Sequence, residues 1–171
     1  MRKVIMGLAV SLDGYIEGPN GEYDWCFTDQ DYGMSEFFQD IDTIFIGRKS
    51  YEVLGNAGSS ENPFGHFEHY IFSNTMQHAP AGHHLVHGEI SSQVRQLKNE
   101  SGKNIWLFGG AALIASLMKE HLVDELWLSI HPILLGSGKS LFQGLSDRIS
   151  LELIETKSYS TGLLSVKYKV N

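Results

Sequence analysis

The chain has 171 residues, of which 42% are hydrophobic and 19% charged, and this excludes a disordered protein while suiting a single domain over residues 1–171. A formal net charge of −7, with no Lys/Arg cluster, argues against a nucleic-acid partner, and no apolar run approaches the roughly 20 residues that span a membrane. One cysteine, Cys26, excludes an internal disulfide and a thiolate-rich metal centre, and it fits a reducing, cytoplasmic compartment.

Met1-Arg2-Lys3 and the apolar run after it have the outline of a signal peptide. The run is short, however, and leads into Ser11-Leu12-Asp13-Gly14 with no small-residue cleavage pattern. Residues 3–10 therefore read as a first strand. Residues 34–40 predict a short helix, 43–46 a buried strand and 49–54 another short helix. Residues 55–65, rich in Gly, Ser, Asn and Pro, read as a loop. Short strands are expected at 69–72 and 85–87. Ile90, Val94 and Leu97 have helical spacing, which predicts a helix over 90–99. A buried strand at 104–108 precedes a helix at 111–120 made of good helix formers. Strands at 125–131, 150–158 and 163–170 then follow without helices between them. The last two are joined by Ser160-Thr161-Gly162, a hairpin turn. The order begins βαβα and ends in strands. The fold class expected is α/β, with a mixed sheet that is parallel where helices cross over and antiparallel near the C-terminus.

Three strand ends carry chemistry. In Ile105-Trp106-Leu107-Phe108-Gly109-Gly110-Ala111-Ala112-Leu113 a buried strand meets two glycines and then a helix. Glycines let a ligand approach the backbone, and the free N–H groups of a helix start form an anion site. Taken alone, the pair equally describes a tight turn with no ligand. In Ile44-Phe45-Ile46-Gly47-Arg48-Lys49-Ser50-Tyr51 a second strand ends in Gly, with two cations and a hydroxyl at the start of a helix. Cations there oppose the helix dipole unless an anion is present, although a solvated basic turn has the same composition. Tyr70-Ile71-Phe72-Ser73-Asn74 ends a third strand in hydroxyl and amide donors.

Other motifs are set aside. Gly138-Lys139-Ser140 resembles the end of a P-loop, but Ile133 stands where that motif needs Gly, and strand-like residues 132–135 precede it. No G-x-G-x-x-G fingerprint and no G-x-S-x-G elbow is present. His66/His69 and His83/His84/His87 have metal-like spacings but no H-E-x-x-H frame, so they read as surface histidines and no metal is expected.

Taken together, the strand ends resemble the dihydrofolate reductase-like superfamily. They are closer still to the C-terminal reductase domain of the riboflavin-biosynthesis deaminase-reductase and its stand-alone relatives. The resemblance rests on Ala9-Val10-Ser11-Leu12-Asp13-Gly14-Tyr15-Ile16, Ile46-Gly47-Arg48-Lys49-Ser50-Tyr51, Phe72-Ser73-Asn74, residues 106–113, Leu122-Val123-Asp124-Glu125-Leu126 and Pro132-Ile133-Leu134-Leu135-Gly136, in that order. It implies a three-layer fold: a central mixed, mostly parallel sheet with antiparallel C-terminal strands and flanking helices.

The resemblance also assigns roles. Gly47, Arg48, Lys49 and Ser50 match the segment that meets the cofactor phosphates. Ser73 and Asn74 match the strand end near the adenosine ribose and its 2′-phosphate. Gly109, Gly110, Ala111 and Ala112 match the turn under the pyrophosphate, where the family often has a cis Gly-Gly bond. Ala9 matches the strand beside the nicotinamide. Arg48 with Ser73 and Asn74 would supply charged and neutral donors to a 2′-phosphate, which favours NADPH over NADH. Trp25 and Thr28 resemble a Trp-Ile-Thr segment of the riboflavin-pathway domain. An acidic residue on the first helix assists protonation in dihydrofolate reductases. Asp31 is the first candidate here and Asp29 its competitor, and either is equally a helix N-cap ahead of residue 34. Gly7 and Tyr15 stand where the riboflavin-pathway domain has basic residues for a ribose phosphate.

The expected function is an NADPH-dependent reductase of a small pyrimidine- or pterin-like substrate, with Asp31 and Trp25 at the catalytic end. The alternatives are a non-catalytic NADPH-binding regulatory module and a ligand-free structural domain. A homodimer is expected by analogy with the related domains.

Overall fold

The computed structural model describes residues 1–56 and 64–171. The elements run β1 (Val4–Ser11), β2 (Tyr15–Glu17), α1 (Met34–Gln39), β3 (Ile41–Gly47), α2 (Arg48–Asn56), β4 (Glu68–Phe72) and β5 (His84–Val86). They continue with α3 (Ile90–Asn99), β6 (Asn104–Gly109), α4 (Ala111–Lys119), β7 (Glu125–His131), β8 (Lys139–Ser140), β9 (Leu151–Ser158) and β10 (Leu164–Val170).

Eight strands form one sheet in the order β5-β4-β3-β6-β1-β7-β10-β9, and β2 pairs with β8 in a second, two-stranded sheet. The strands from β5 to β7 are mutually parallel, while β10 runs antiparallel to both β7 and β9. The central strands are apolar on both faces because both are covered. Val4, Met6, Phe45, Leu107 and Leu126 pack with α3 and α4 on one side. Ile5, Ile44, Ile46, Trp106 and Trp127 pack with Phe37 of α1 on the other, where Tyr51 and Leu54 of α2 join them. The result is the mixed, three-layer α/β fold expected.

Two ion pairs fasten the N-terminal ends of the central strands. The buried Arg2 guanidinium bonds the Asp42 carboxylate, the Thr43 hydroxyl and, at 2.6 Å, the Lys103 carbonyl. Lys98, buried on α3, reaches Asp124 at 2.7 Å, and Asp124 also accepts the Val4 N–H at 2.7 Å. The opposite, C-terminal strand ends are left free for function.

Two expectations need correction, and one pairing is new. Residues 132–135 are not a strand; the chain leaves β7 there for an irregular loop. That loop ends in the short pairing of β8 with β2, which the sequence did not announce. The two strands meet so closely that a Cβ on Gly138 would lie 2.1 Å from the Glu17 carbonyl oxygen, and Gly138 has φ +140°. His69 is not a surface histidine. It is 1% exposed on β4, and its Nδ1–H donates to the Phe67 carbonyl at 2.9 Å. His66, His84 and His87 are exposed, and His83 is half-buried. Of the expected loop at 55–65, residues 57–63 lie outside the described residues.

Candidate functional site

The β1–β6 ladder stops at Met6↔Leu107, whereas β1 continues beside β7 as far as Ser11↔His131. The sheet therefore opens between β1 and β6 at its C-terminal edge. Next to that opening, β3 ends at Gly47, β4 at Phe72 and β6 at Gly109.

Gly47 and the Gly109-Gly110 pair lie against each other. A Cβ on Gly47 would meet the Gly110 nitrogen at 3.4 Å, and one on Gly110 would meet the Ser50 Oγ at 3.0 Å. The lack of side chains is what lets these two turns share one floor. The Gly109–Gly110 peptide is cis, as the resemblance implied. Gly110 caps α4 without a side-chain bond, and the first amide to bond back to it is that of Ile114. The amides of Ala111, Ala112 and Leu113 thus lack helical acceptors at the positive end of the helix dipole.

Above this floor is a cleft of about 570 Å³. Gly47, Arg48, Lys49, Ser50, Ser73, Asn74, Gly110, Ala111 and Ala112 all line it, so the three strand ends picked out in the sequence converge on one site. Gly109 lies one peptide behind this wall. Ala9 is half-buried on β1, beyond the point where β6 departs.

The cleft's charge is one-sided. Arg48, Lys49 and Lys139 line it, and no acidic residue does among the described residues, in a protein whose net charge is −7. Arg48 is held by Glu52 one turn along α2, at 2.6 Å. That pair is half-exposed and worth at most about 1 kcal/mol, so an anion can displace it. Lys139 is likewise held by Glu17, at 2.9 Å. The Ser73 Oγ accepts the N–H groups of Thr75 and Met76 at 3.2 and 3.0 Å, which fixes the turn after β4. The sequence reading missed Lys139 because its motif was tested only as a P-loop. Its place in the cleft comes from the β2–β8 pairing, a tertiary contact.

The expected catalytic pair lies outside the cleft lining. Asp31 is exposed and accepts the N–H groups of Gly33 and Ser35 and the Ser35 hydroxyl. These bonds, led by that of Ser35, hold its carboxyl below the usual range, not above it as a proton donor requires. Asp31 thus ties together the turn ahead of α1, whose N-cap position is held by Gly33 and not by either acid. Asp29 accepts the Tyr32 hydroxyl at 2.7 Å. Trp25 stands edge-on to His131, with ring centres 5.2 Å apart, and its shielded indole N–H has no hydrogen-bond partner among the described residues.

His131 is a residue the sequence reading passed over. It ends β7 and is 3% exposed. Its Nδ1–H donates to the Ser129 carbonyl at 3.0 Å, and its Nε2 accepts the Phe27 N–H at 3.1 Å. Burial pushes its pKa down and keeps the ring neutral. The neutral ring pins the segment bearing Trp25, Cys26 and Phe27 to the C-terminal edge of the sheet. No group of three or more potential metal ligands gathers among the described residues.

Comparison with known proteins bears on the family and the fold. The chain belongs to the RibD C-terminal domain family, whose model matches residues 2–165. It is 41% identical to the uncharacterized protein YyaP of Bacillus subtilis (strain 168), over 99% of this chain and 96% of that one. A solved structure from Shewanella sp. PV-4, assigned provisionally to riboflavin biosynthesis, superposes with a TM-score of 0.87 at 28% identity, covering 100% of this chain and 99% of the other. Dihydrofolate reductase from Enterococcus faecalis, complexed with NADP(H), superposes with a TM-score of 0.69 at 16% identity, covering 99% and 96%, a likeness of fold.

Proposed function

We propose that this protein is an NADPH-dependent reductase of a small pyrimidine- or pterin-like heterocycle. The observation that carries the reading is the cleft itself: three cations, two glycine turns and an uncapped helix start converge on one cavity, with no acid among the described residues that line it.

These residues fit a phosphorylated dinucleotide. Gly47, Gly109 and Gly110, with the free amides of Ala111 and Ala112, would hold the pyrophosphate. Arg48, Lys49, Ser73 and Asn74 would hold the ribose that carries the 2′-phosphate, and Ser50 stands between the two groups. Ala9, at the opening between β1 and β6, would flank the nicotinamide ring. When bound, the cofactor supplies a hydride.

The remaining work of this chain is orientation and shielding. The Trp25–Phe27 segment, pinned by His131, would close the substrate end beside β1. Asp31 is held ionised by its bonds to Gly33 and Ser35, so we assign the proton for the reduced heterocycle to solvent water and not to this carboxyl.

The test is oxidation of NADPH across a panel of aminopyrimidines and pterins, with Gly110→Val as the control. Turnover of a panel member, lost in the variant, supports the reading. NADPH binding without oxidation of any member would favour the non-catalytic regulatory module. Asp31→Asn is expected to keep its turnover and lose only stability.

A further inference from the structure

The histidine spacings His66/His69 and His83/His84/His87 each give one residue to a shielded pair. Strands β4 and β5 are parallel neighbours, with Tyr70 opposite His84. His69 and His83 each stand one residue earlier, so they lie side by side on one face of the sheet. Their ring centres are 4.8 Å apart, with the planes tilted by 38°. Tyr51 of α2 lies edge-on to both rings, with centres at 6.5 and 5.3 Å.

Both rings are fixed in the same way. The His69 Nδ1–H donates to the Phe67 carbonyl at 2.9 Å, and the His83 Nδ1–H donates to the Ala81 carbonyl at 3.1 Å. A carbonyl only accepts, so in a neutral ring the proton stays on Nδ1 and the lone pair is left on Nε2. Both Nε2 atoms are shielded from solvent, and neither has a hydrogen-bond partner among the described residues. His69 is 1% exposed, and burial pushes its pKa down, which keeps that ring neutral. Two adjacent acceptors with no donor are costly to bury unless something binds them.

We propose that His69 and His83 form a site for one divalent transition-metal cation of the zinc and nickel kind, held through the two Nε2 atoms. Imidazole nitrogen suits these ions, whereas magnesium and calcium need oxygen ligands. An Nδ1–H anchored on a backbone carbonyl, with Nε2 left free, is the way metal-ligating histidines are oriented. The spacing also fits. With metal–nitrogen bonds of about 2.0–2.1 Å each ring centre lies about 3.2 Å from the ion, so centres 4.8 Å apart subtend roughly 100°, close to a tetrahedral angle. No third histidine, cysteine or carboxylate joins the pair among the described residues, so water fills the other positions and the ion exchanges readily. The ion would tie β5, a three-residue edge strand, to β4. The pair is near the start of β4, whereas the cofactor cleft takes that strand's other end at Phe72. The proposal therefore does not rest on the reductase reading.

The test is a titration of the full chain, first stripped with EDTA, with ZnCl₂ while the imidazole nitrogen resonances are followed. One Zn²⁺ per chain is expected, with the Nε2 resonances of His69 and His83 shifted, that of His131 unchanged, and the melting temperature raised. His83→Ala, at a half-buried position, should weaken binding at least about tenfold, and His84→Ala and His87→Ala should leave it unchanged. The wild-type titration needs no variant to fold. No binding at millimolar Zn²⁺, or shifts confined to the exposed histidines, overturns the proposal. So does undiminished affinity in His83→Ala. None of these results bears on NADPH oxidation, so the two readings fail separately.

Discussion

On the proposed function, Arg48 is the side chain that would decide between NADPH and NADH. Among the described residues its guanidinium is tied by a half-exposed bond to Glu52, so meeting a phosphate would not require breaking a strong pair. Arg48→Ala should weaken NADPH binding by about ten- to a hundredfold, the worth of a charge-assisted bond, and leave NADH almost unchanged. Titration calorimetry with both dinucleotides checks this. Cys26 makes the opposite point. Burial, helped by Asp24, pushes its thiol up to about 11. At mildly alkaline pH its thiolate fraction is about a hundredfold below that of an ordinary cysteine, and iodoacetamide should label it that much more slowly than it labels the unfolded chain. Labelling at the unfolded rate would mean that the Trp25–Phe27 segment is not held as described.

At the scale of elements, the glycine-ended strands were legible because each combines a buried run, a glycine and a helix start within a few residues. The β2–β8 pair was not legible. It has three residues on one side and two on the other, and it forms only because Gly138 lets the loop after β7 press against Glu17. Lys139 enters the cleft by that contact. The buried state of His69 and His131 was equally invisible, since each is covered by residues distant in sequence. Both histidines have pKa values pushed down, chiefly by burial. The unfolded chain then takes up protons that the folded chain refuses. Stability is full above the ordinary histidine value of about 6.5 and is lost as pH falls through the lowered folded values. Melting temperature should decline from about pH 7.5 to 5.5, and less steeply in His131→Gln; an unchanged slope in the variant would contradict the burial of that ring. The Lys98–Asp124 pair ties α3 to the loop before β7. Because Asp124 is about a third exposed, Lys98→Ala should cost roughly 1–3 kcal/mol, less than a fully buried pair, in a denaturant titration.

For the whole molecule, the order of helices and strands conveyed a mixed sheet, parallel where helices cross over, and it was the family resemblance that drew the three strand ends to one cofactor. What the order did not convey was the gap between β1 and β6 and the absence of acidic residues from the cleft among the described residues. Those two facts turn a set of turns into the cleft on which the proposed function rests. The account stands or falls on whether that site reads the 2′-phosphate. The most direct measurement is the melting temperature of wild type and Arg48→Ala with NADPH, with NADH and with neither. A rise with NADPH that exceeds the rise with NADH in wild type, and a difference that disappears in Arg48→Ala, is the predicted result. Equal shifts from the two dinucleotides in wild type, or no shift from either, would contradict it.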